Sequence, residues 1–279
     1  MTDDAPASAA TSAAMTASGE PLRPPPPGQE GRFFGARAID PAEKTPLVRG
    51  VFDSVAAKYD LMNDLMSGGV HRLWKDAFVD LVRPRGGETC LDVAGGTGDI
   101  AFRLAAKAPG ASVVVCDLTE AMVRVGRDRG IDRGLMNGAD GGPAIQWTVG
   151  NAEALPVAAR SVDAYTIAFG LRNVANLDAA LAEARRVLKP GGRFFCLEFS
   201  HVTLPVLREA YDRFSFGLLP RLGEMVAGDR ESYQYLVESI RRFPDQQALC
   251  RRIEAAGLVR ARARNLTGGI AAIHSGWRV

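Results

Sequence analysis

The chain has 279 residues, 47% of them hydrophobic and 24% charged, the balance of a soluble globular protein with one or two domains. A net charge of +2 makes no electrostatic demand for nucleic acid, and no apolar run approaches the ~18 residues of a spanning helix. Cys90, Cys116, Cys196 and Cys250 form no C-x-x-C pair, which argues against a disulfide framework or a zinc site and fits a reducing, cytoplasmic compartment.

Residues 1–45 are expected to form a disordered Ala/Pro-rich tail, with PPPP at 24–27 favouring polyproline II. Asp3 and Asp4, and a first basic residue only at Arg23, fit neither a secretory signal nor a transit peptide. Over 46–85, Val51, Val55, Leu61, Leu65, Leu73, Phe78 and Leu81 recur at near-helical spacing, broken at Ser67-Gly68-Gly69. This spacing predicts two or three N-terminal helices.

A strand and helix rhythm follows. ETCLDVAG predicts a strand, and TGDIAFRLAAKA a helix closed by Pro109-Gly110. SVVVCDL predicts the second strand and TEAMVRVGRDRG the second helix, with Thr119 as its N-cap. DRGLMNGADGGP reads as a surface loop. IQWTVGNA and VDAYTIAF predict the third and fourth strands. LDAALAEARRVL is a helix, and KPGG turns into the fifth strand, GRFFCLEFS. The alternation indicates a parallel, doubly wound α/β sheet. Residues 201–250 read as mostly helical. The runs around the final TGG read as an edge hairpin, with the arginines of VRARARNL facing solvent.

Gly95, Gly96 and Gly98 follow the first strand, where a doubly wound sheet binds its ligand. Gly96, Gly98 and Ala101 satisfy the dinucleotide pattern G-x-G-x-x-G/A, and Asp117 ends the next strand in position for ribose hydroxyls. NAD-dependent oxidoreductases and S-adenosylmethionine (SAM) methyltransferases share these features. Asp92 separates them: an acid beside the loop disfavours a pyrophosphate and suits the ammonium of SAM's methionine end. Asn151 is placed for the polar edge of an adenine, with the Ala152 backbone beside it. SAM is the expected cofactor, with an NAD enzyme as the alternative. His71, His201 and His274 lack metal-ligand spacing, so no metal is expected. His71 reads as structural and His201 as a candidate for proton transfer.

The stretches VFDSVAAKYDLMNDLMSGGVHRLWK, LDVAGGTGD, GNAEALP, FGLRNV, VLKPGG, LEFS, PRLG, SYQYLVESI and NLTGG run from about residue 48 to 279. They resemble the ubiquinone/menaquinone biosynthesis C-methyltransferase family, within the class I SAM-dependent methyltransferases. LDVAGGTGD and VLKPGG occur across methyltransferases, whereas KYDLMNDLMS, FGLRNV and SYQYLVESI are particular to this family. The resemblance implies a Rossmann-like methyltransferase domain over 46–279, with 201–250 as a helical substrate-side insertion. It implies methyl transfer to a ring carbon of a polyprenylated benzoquinol or naphthoquinol, and SAM contacts at Thr97, Asp117, Asn151 and Ala152. Family members often carry serine just before FGLRN; here Ala168 removes a hydroxyl contact. A methyltransferase with a soluble small-molecule acceptor is the further alternative.

Carbon methylation needs a cation for the phenolate and a base or water route for the departing proton. Arg172 and Asn173 of FGLRN are the expected catalytic pair: Arg172 stays protonated, so it stabilises an oxyanion or orients a water that Asn173 fixes. Tyr59 and Asp60 are further candidates in a helical region able to close over the site as a lid. A lipid-tailed quinol as partner implies transient contact with the inner face of a membrane. Phe214, Phe216, Leu218 and Leu219 form the best apolar cluster for it, with the core as the alternative location. A homodimer or a quinone-biosynthesis assembly stays open.

Overall fold

The computed structural model describes residues 22–55, 64, 67–135, 144–203, 207, 211 and 230–279. Two short strands, β1 (Phe33–Phe34) and β2 (Arg37–Ala38), pair as a ribbon ahead of α1 (Pro41–Val55) and α2 (His71–Val82). The alternating part comprises β3 (Thr89–Val93), α3 (Asp99–Lys107), β4 (Ser112–Asp117), α4 (Glu120–Asp132), β5 (Ala144–Val149), β6 (Val162–Ala168), α5 (Leu177–Val187) and β7 (Leu188–Phe199). Then follow α6 (Arg230–Arg242), α7 (Gln246–Ala255), β8 (Leu258–Leu266) and β9 (Ala271–Arg278).

The main sheet has seven strands in the order β5-β4-β3-β6-β7-β9-β8. Strands β5 to β7 are parallel, and β9 runs antiparallel between β7 and β8. This is the doubly wound sheet with an antiparallel edge hairpin that the sequence predicts. Arg260, Arg262 and Arg264 of the edge strand are exposed, as its alternation implies.

The parallel strands are apolar on both faces because both faces are covered. Cys90, Val113, Val115 and Phe195 share one core with Phe78 and Val82 of α2 and Ile100 and Leu104 of α3. Their chain neighbours Leu91, Cys116 and Phe194 lie in a second core with Leu181 and Val187 of α5 and Leu249 and Ile253 of α7. Each large side chain so buried contributes roughly 1.5–3 kcal/mol relative to exposure. Asn176 and Asp245 start α5 and α7 by accepting from the N–H groups of Ala179 and Ala248, at 3.0 and 2.7 Å.

Three expectations change. Thr119 stands at the N-cap of α4 but its side chain makes no capping bond; its backbone N–H donates to Asp117 Oδ1 instead, at 2.8 Å. The KPGG segment lies within β7, and the pairing shifts between Val162–Leu188 and Ala164–Arg193, so the extra residues bulge rather than turn. The tail expected to reach residue 45 stops short of it: Glu30–Arg32 forms a 3₁₀ turn, the ribbon follows, and α1 starts at Pro41.

Distant partners hold this segment. Arg242 Nε donates to the Gly35 carbonyl (2.7 Å), the Ala36 N–H donates to Glu238 Oε2 (2.7 Å), and Arg252 pairs with both Glu30 and Asp178. Phe34 stacks on Tyr235, ring centroids 4.2 Å apart. Composition misses such ordering because the partners that hold the segment lie on the distant α6 and α7. Residues 1–21 and 136–143 of the expected tail and loop lie outside the described residues.

Strand order reverses between β3 and β6, with β4 and β5 to one side and β7 to the other. The crevice at the carboxyl ends of such a pair is where doubly wound sheets bind ligands. Here β3 runs into Ala94–Gly98 and β6 into Phe169–Asn173.

Candidate functional site

The glycine loop folds back over the end of its own strand. A Cβ at Gly95 would lie 2.7 Å from Val115 Cγ1 and 2.9 Å from Asp92 Oδ2, so only glycine permits that approach. Three loop amides are turned inward. Gly95 N–H donates to the Cys116 carbonyl (3.4 Å), Gly96 N–H to Asp117 Oδ2 (2.8 Å) and Gly98 N–H to the Gly95 carbonyl (2.9 Å). A pyrophosphate seat needs amides aimed at the ligand and no anion beside them. Here the amides are occupied, and Asp99 sets a carboxylate in the first turn of α3.

Two adjoining cavities flank the loop. The larger is lined by Gly96, Asp117, Met122, Asn151, Ala152 and Asn173, among others. The smaller is lined by Lys75, Asp92, Gly95, Thr97, Asp99 and Ala168. Ala94 and Phe169 wall both. Each takes a left-handed backbone, φ 50° and 57°, where a side chain is strained. Gly98 lines neither cavity; it lies against the Trp147 ring at the start of α3.

Asp92 is fully buried. Its Oδ1 accepts from the Thr166 hydroxyl (2.8 Å), while Oδ2 has no partner. Burial pushes its carboxyl up to about 7, against the Thr166 bond and helped by the nearby Asp117 and Asp99 carboxylates. Asp117 also sits above the usual carboxylate range through burial, opposed by its bonds to Thr119 and Gly96. Each Asp117 oxygen accepts one backbone amide, Gly96 at Oδ2 and Thr119 at Oδ1, and a carboxylate oxygen can accept more than one donor. Asn151 Oδ1 accepts from the Glu153 N–H (2.9 Å), which closes the GNAE turn beside the larger cavity. Thr97 Oγ1 accepts from Arg129 Nη1 (3.0 Å).

Arg172 and Asn173 occupy the 3₁₀ turn after β6 but face different ways. Asn173 reaches the larger cavity, and its Oδ1 accepts from the Tyr235 hydroxyl (3.0 Å). Arg172 faces a separate cavity beside Glu30 and Lys44, and its Nη1 pairs with Glu198 Oε1 (2.6 Å). Its Nε is buried without a partner.

His201 Nε2 donates to the Phe243 carbonyl (2.8 Å), and His71 Nε2 bonds Asp64 Oδ1 (2.8 Å). Neither lines the two cavities around the loop. Among the described residues no group of His, Cys, Asp and Glu is arranged to hold a metal. Tyr59, Asp60, Phe214, Phe216, Leu218 and Leu219 lie outside the described residues.

Sequence reasoning passed over Lys75, Glu198, Phe169 and Tyr235. Glu198, a lone acid inside an apolar strand, carried a signal, because a buried carboxylate requires a partner. Phe169 carried none, since its strained backbone depends on the two loops meeting. Gly170 shows the same approach: a Cβ there would run into Ala94 Cβ.

The acid-lined cleft, whose loop amides are bonded within the protein, fits a cationic cofactor better than a pyrophosphate. A model of the ubiE/COQ5 methyltransferase family matches residues 40–278. Relatives named ubiquinone/menaquinone biosynthesis C-methyltransferase UbiE include one from Cereibacter sphaeroides, 54% identical over 246 residues, and one from Paracoccus denitrificans, 55% identical over 249. Each alignment covers 88% of this chain and 96% of the relative. Among solved structures, a SAM-dependent methyltransferase from Thermotoga maritima has a TM-score of 0.58 at 17% identity, over 83% of this chain and 100% of that one. One from Aquifex aeolicus has a TM-score of 0.53 at 17% identity, over 74% and 89%. The solved structures share the fold, and the match over nearly the whole described length shows that this chain belongs to the ubiE/COQ5 methyltransferase family.

Proposed function

We propose that the protein transfers a methyl group from SAM to a ring carbon of a polyprenylated benzoquinol or naphthoquinol, in ubiquinone or menaquinone biosynthesis. One observation carries the cofactor: Asp92 is a fully buried carboxylate with an unpartnered oxygen, beside a glycine loop whose Gly95, Gly96 and Gly98 amides are already bonded within the protein. The acceptor class rests on kinship with the UbiE relatives and on the FGLRN turn.

When bound, SAM supplies a methyl group on a sulfonium. The protein's part is to hold the ring, stabilise its phenolate and let the ring proton leave. Asn173 stands on the cavity wall, oriented by the Tyr235 hydroxyl; one N–H of its amide donates to the Phe169 carbonyl (3.4 Å), and the other is the donor for a phenolate oxygen. Arg172 cannot act as a base at any ordinary pH. Its charge, fixed by Glu198 and the Phe169 carbonyl, sits directly behind the turn that carries Asn173, and its unpartnered Nε is a donor for an ordered water. Tyr59 is proposed as a third group of this site. Asp117, Asn151 and Ala152 are proposed to take the adenosine end, with Thr97 and Asp92 nearer the methionine.

A lipid-tailed acceptor requires contact with a bilayer, and the proposal places the protein peripherally on the inner face of the membrane, reached from the cytoplasm. Among the described residues, no helix is long and apolar enough to cross a membrane. The test is complementation of strains blocked in this quinone methylation, with mass spectrometry of their quinones. Restored methylated quinone supports the proposal and identifies the ring; persistence of the unmethylated precursor despite expressed protein refutes it.

A further inference from the structure

Lys75 projects from α2 into the smaller cavity and is buried. Lysine is rarely buried unless its charge is matched. Its Nζ donates to Asp99 Oδ2 (2.8 Å), but Asp99 also accepts from Arg103 Nε through Oδ1 (3.0 Å). One carboxylate is therefore shared by two cations, and one of three ammonium donors is used. On the same cavity wall, Asp92 Oδ2 is buried and accepts from nothing.

A small cavity thus holds an ammonium with donors to spare and a carboxylate with a vacant oxygen. A ligand with one charge would satisfy one of them and leave the other. An α-amino-acid group carries an ammonium and a carboxylate on a single carbon, satisfies both, and adds no net charge to a buried space. The neighbouring cavity offers Asp117 and Asn151 across the shared walls Ala94 and Phe169, so one elongated ligand can use both.

We infer that Lys75 binds the α-carboxylate of the cofactor's methionine end, while Asp92 takes the ammonium. This rests on the SAM reading above and adds a residue outside the glycine loop to it. Lys75 acts through binding, not chemistry.

The test is calorimetry on the full chain with three ligands: SAM, decarboxylated SAM and 5′-methylthioadenosine, which lacks the amino-acid group. In the unsubstituted protein, decarboxylated SAM binds roughly tenfold or more weakly than SAM, the loss of a charge-assisted bond. In Lys75→Met, SAM falls to the level of decarboxylated SAM, while decarboxylated SAM and 5′-methylthioadenosine bind as before. Asp99 keeps Arg103 in this variant, and running all three ligands above pH 7 keeps Asp92, which loses the Lys75 charge, from confounding the comparison. Lys75→Gln, which keeps a donor without the charge, gives the same ordering if the methionine variant folds poorly. Equal loss of all three ligands, or undiminished SAM affinity, overturns the inference. An unsubstituted protein that binds 5′-methylthioadenosine but does not prefer SAM to decarboxylated SAM overturns it alone. One that binds none of the three overturns the proposed cofactor as well.

Discussion

Arg172 and Glu198 form a buried ion pair, Nη1 to Oε1 at 2.6 Å, with side chains 3% and 0% exposed. The Arg172 N–H also donates to Glu198 Oε2 (3.3 Å), and the Phe199 N–H to Oε1 (2.9 Å). The pair therefore bolts the turn after β6 to the end of β7. Burial pushes the Glu198 carboxyl above its usual range, opposed by the Arg172 charge. Glu198→Ala leaves a buried guanidinium uncompensated and is expected to destabilise the fold by about 3–5 kcal/mol in denaturant titration. Combining Arg172→Met with Glu198→Leu recovers most of that loss. A double variant as unstable as the single one contradicts this account.

The same pair separates support from catalysis. Arg172→Ala is expected to leave SAM affinity within about twofold and to slow turnover on a quinol analogue by roughly 10²-fold, because the turn that carries Asn173 loses the charge that stands behind it. A normal methylation rate removes Arg172 from the mechanism and leaves it a structural residue.

Asp117→Ala removes the proposed ribose acceptor and strands the amides of Gly96 and Thr119. Expected are a SAM affinity at least roughly tenfold weaker and a stability loss of about 1–3 kcal/mol per stranded amide. Asp117→Asn distinguishes the two, because one side-chain oxygen faces one of the amides while an NH₂ faces the other. Calorimetry and thermal melts measure the two effects separately.

Asp92 makes stability and binding depend on pH. Its carboxyl lies near 7 when folded, against 3.8 unperturbed. Between those values the folded chain keeps a proton that the unfolded chain has lost, so this contribution is full at low pH and is lost as pH rises through about 7. At complete burial it amounts to roughly 4 kcal/mol as a ceiling. Asp92→Asn is expected to flatten stability over this window. In the unsubstituted protein a cationic cofactor needs the ionised form, so SAM affinity rises from pH 6 to 8 and binding releases a proton. Calorimetry in buffers of different ionisation enthalpy checks the release; none at pH 6.5 counts against Asp92 as the ammonium's partner.

Tyr235→Phe removes the hydroxyl that orients Asn173 but keeps the stack on Phe34. Turnover is expected to fall several-fold with SAM affinity unchanged, about what one buried hydrogen bond contributes. An equal fall in SAM affinity would mean that the hydroxyl supports the whole cleft instead.

The alternation of short apolar strands with amphipathic helices was legible from TCLDV to RFFCLEF, because period and length identify such elements locally. The glycine loop and Asp117 were legible for the same reason: both sit at strand ends. The ordering of residues 30–45 was not, because Glu30, Phe34 and Gly35 meet their partners some two hundred residues away. Nor was the direction of Arg172. FGLRN places two polar residues side by side, and which one turns to the cavity depends on Glu198 in the next strand.

The sequence by itself determined the doubly wound sheet, its edge hairpin, the crevice at β3 and β6, and the acid that speaks against a pyrophosphate. These follow from backbone geometry and from charge, which short stretches carry in full. Only the tertiary structure decided that the loop amides close on Asp117 and Gly95, that Arg172 stands behind Asn173, and that Lys75 shares a cavity with Asp92. Each of these depends on a side chain meeting a partner from another strand or helix, and such meetings arise only when the elements pack.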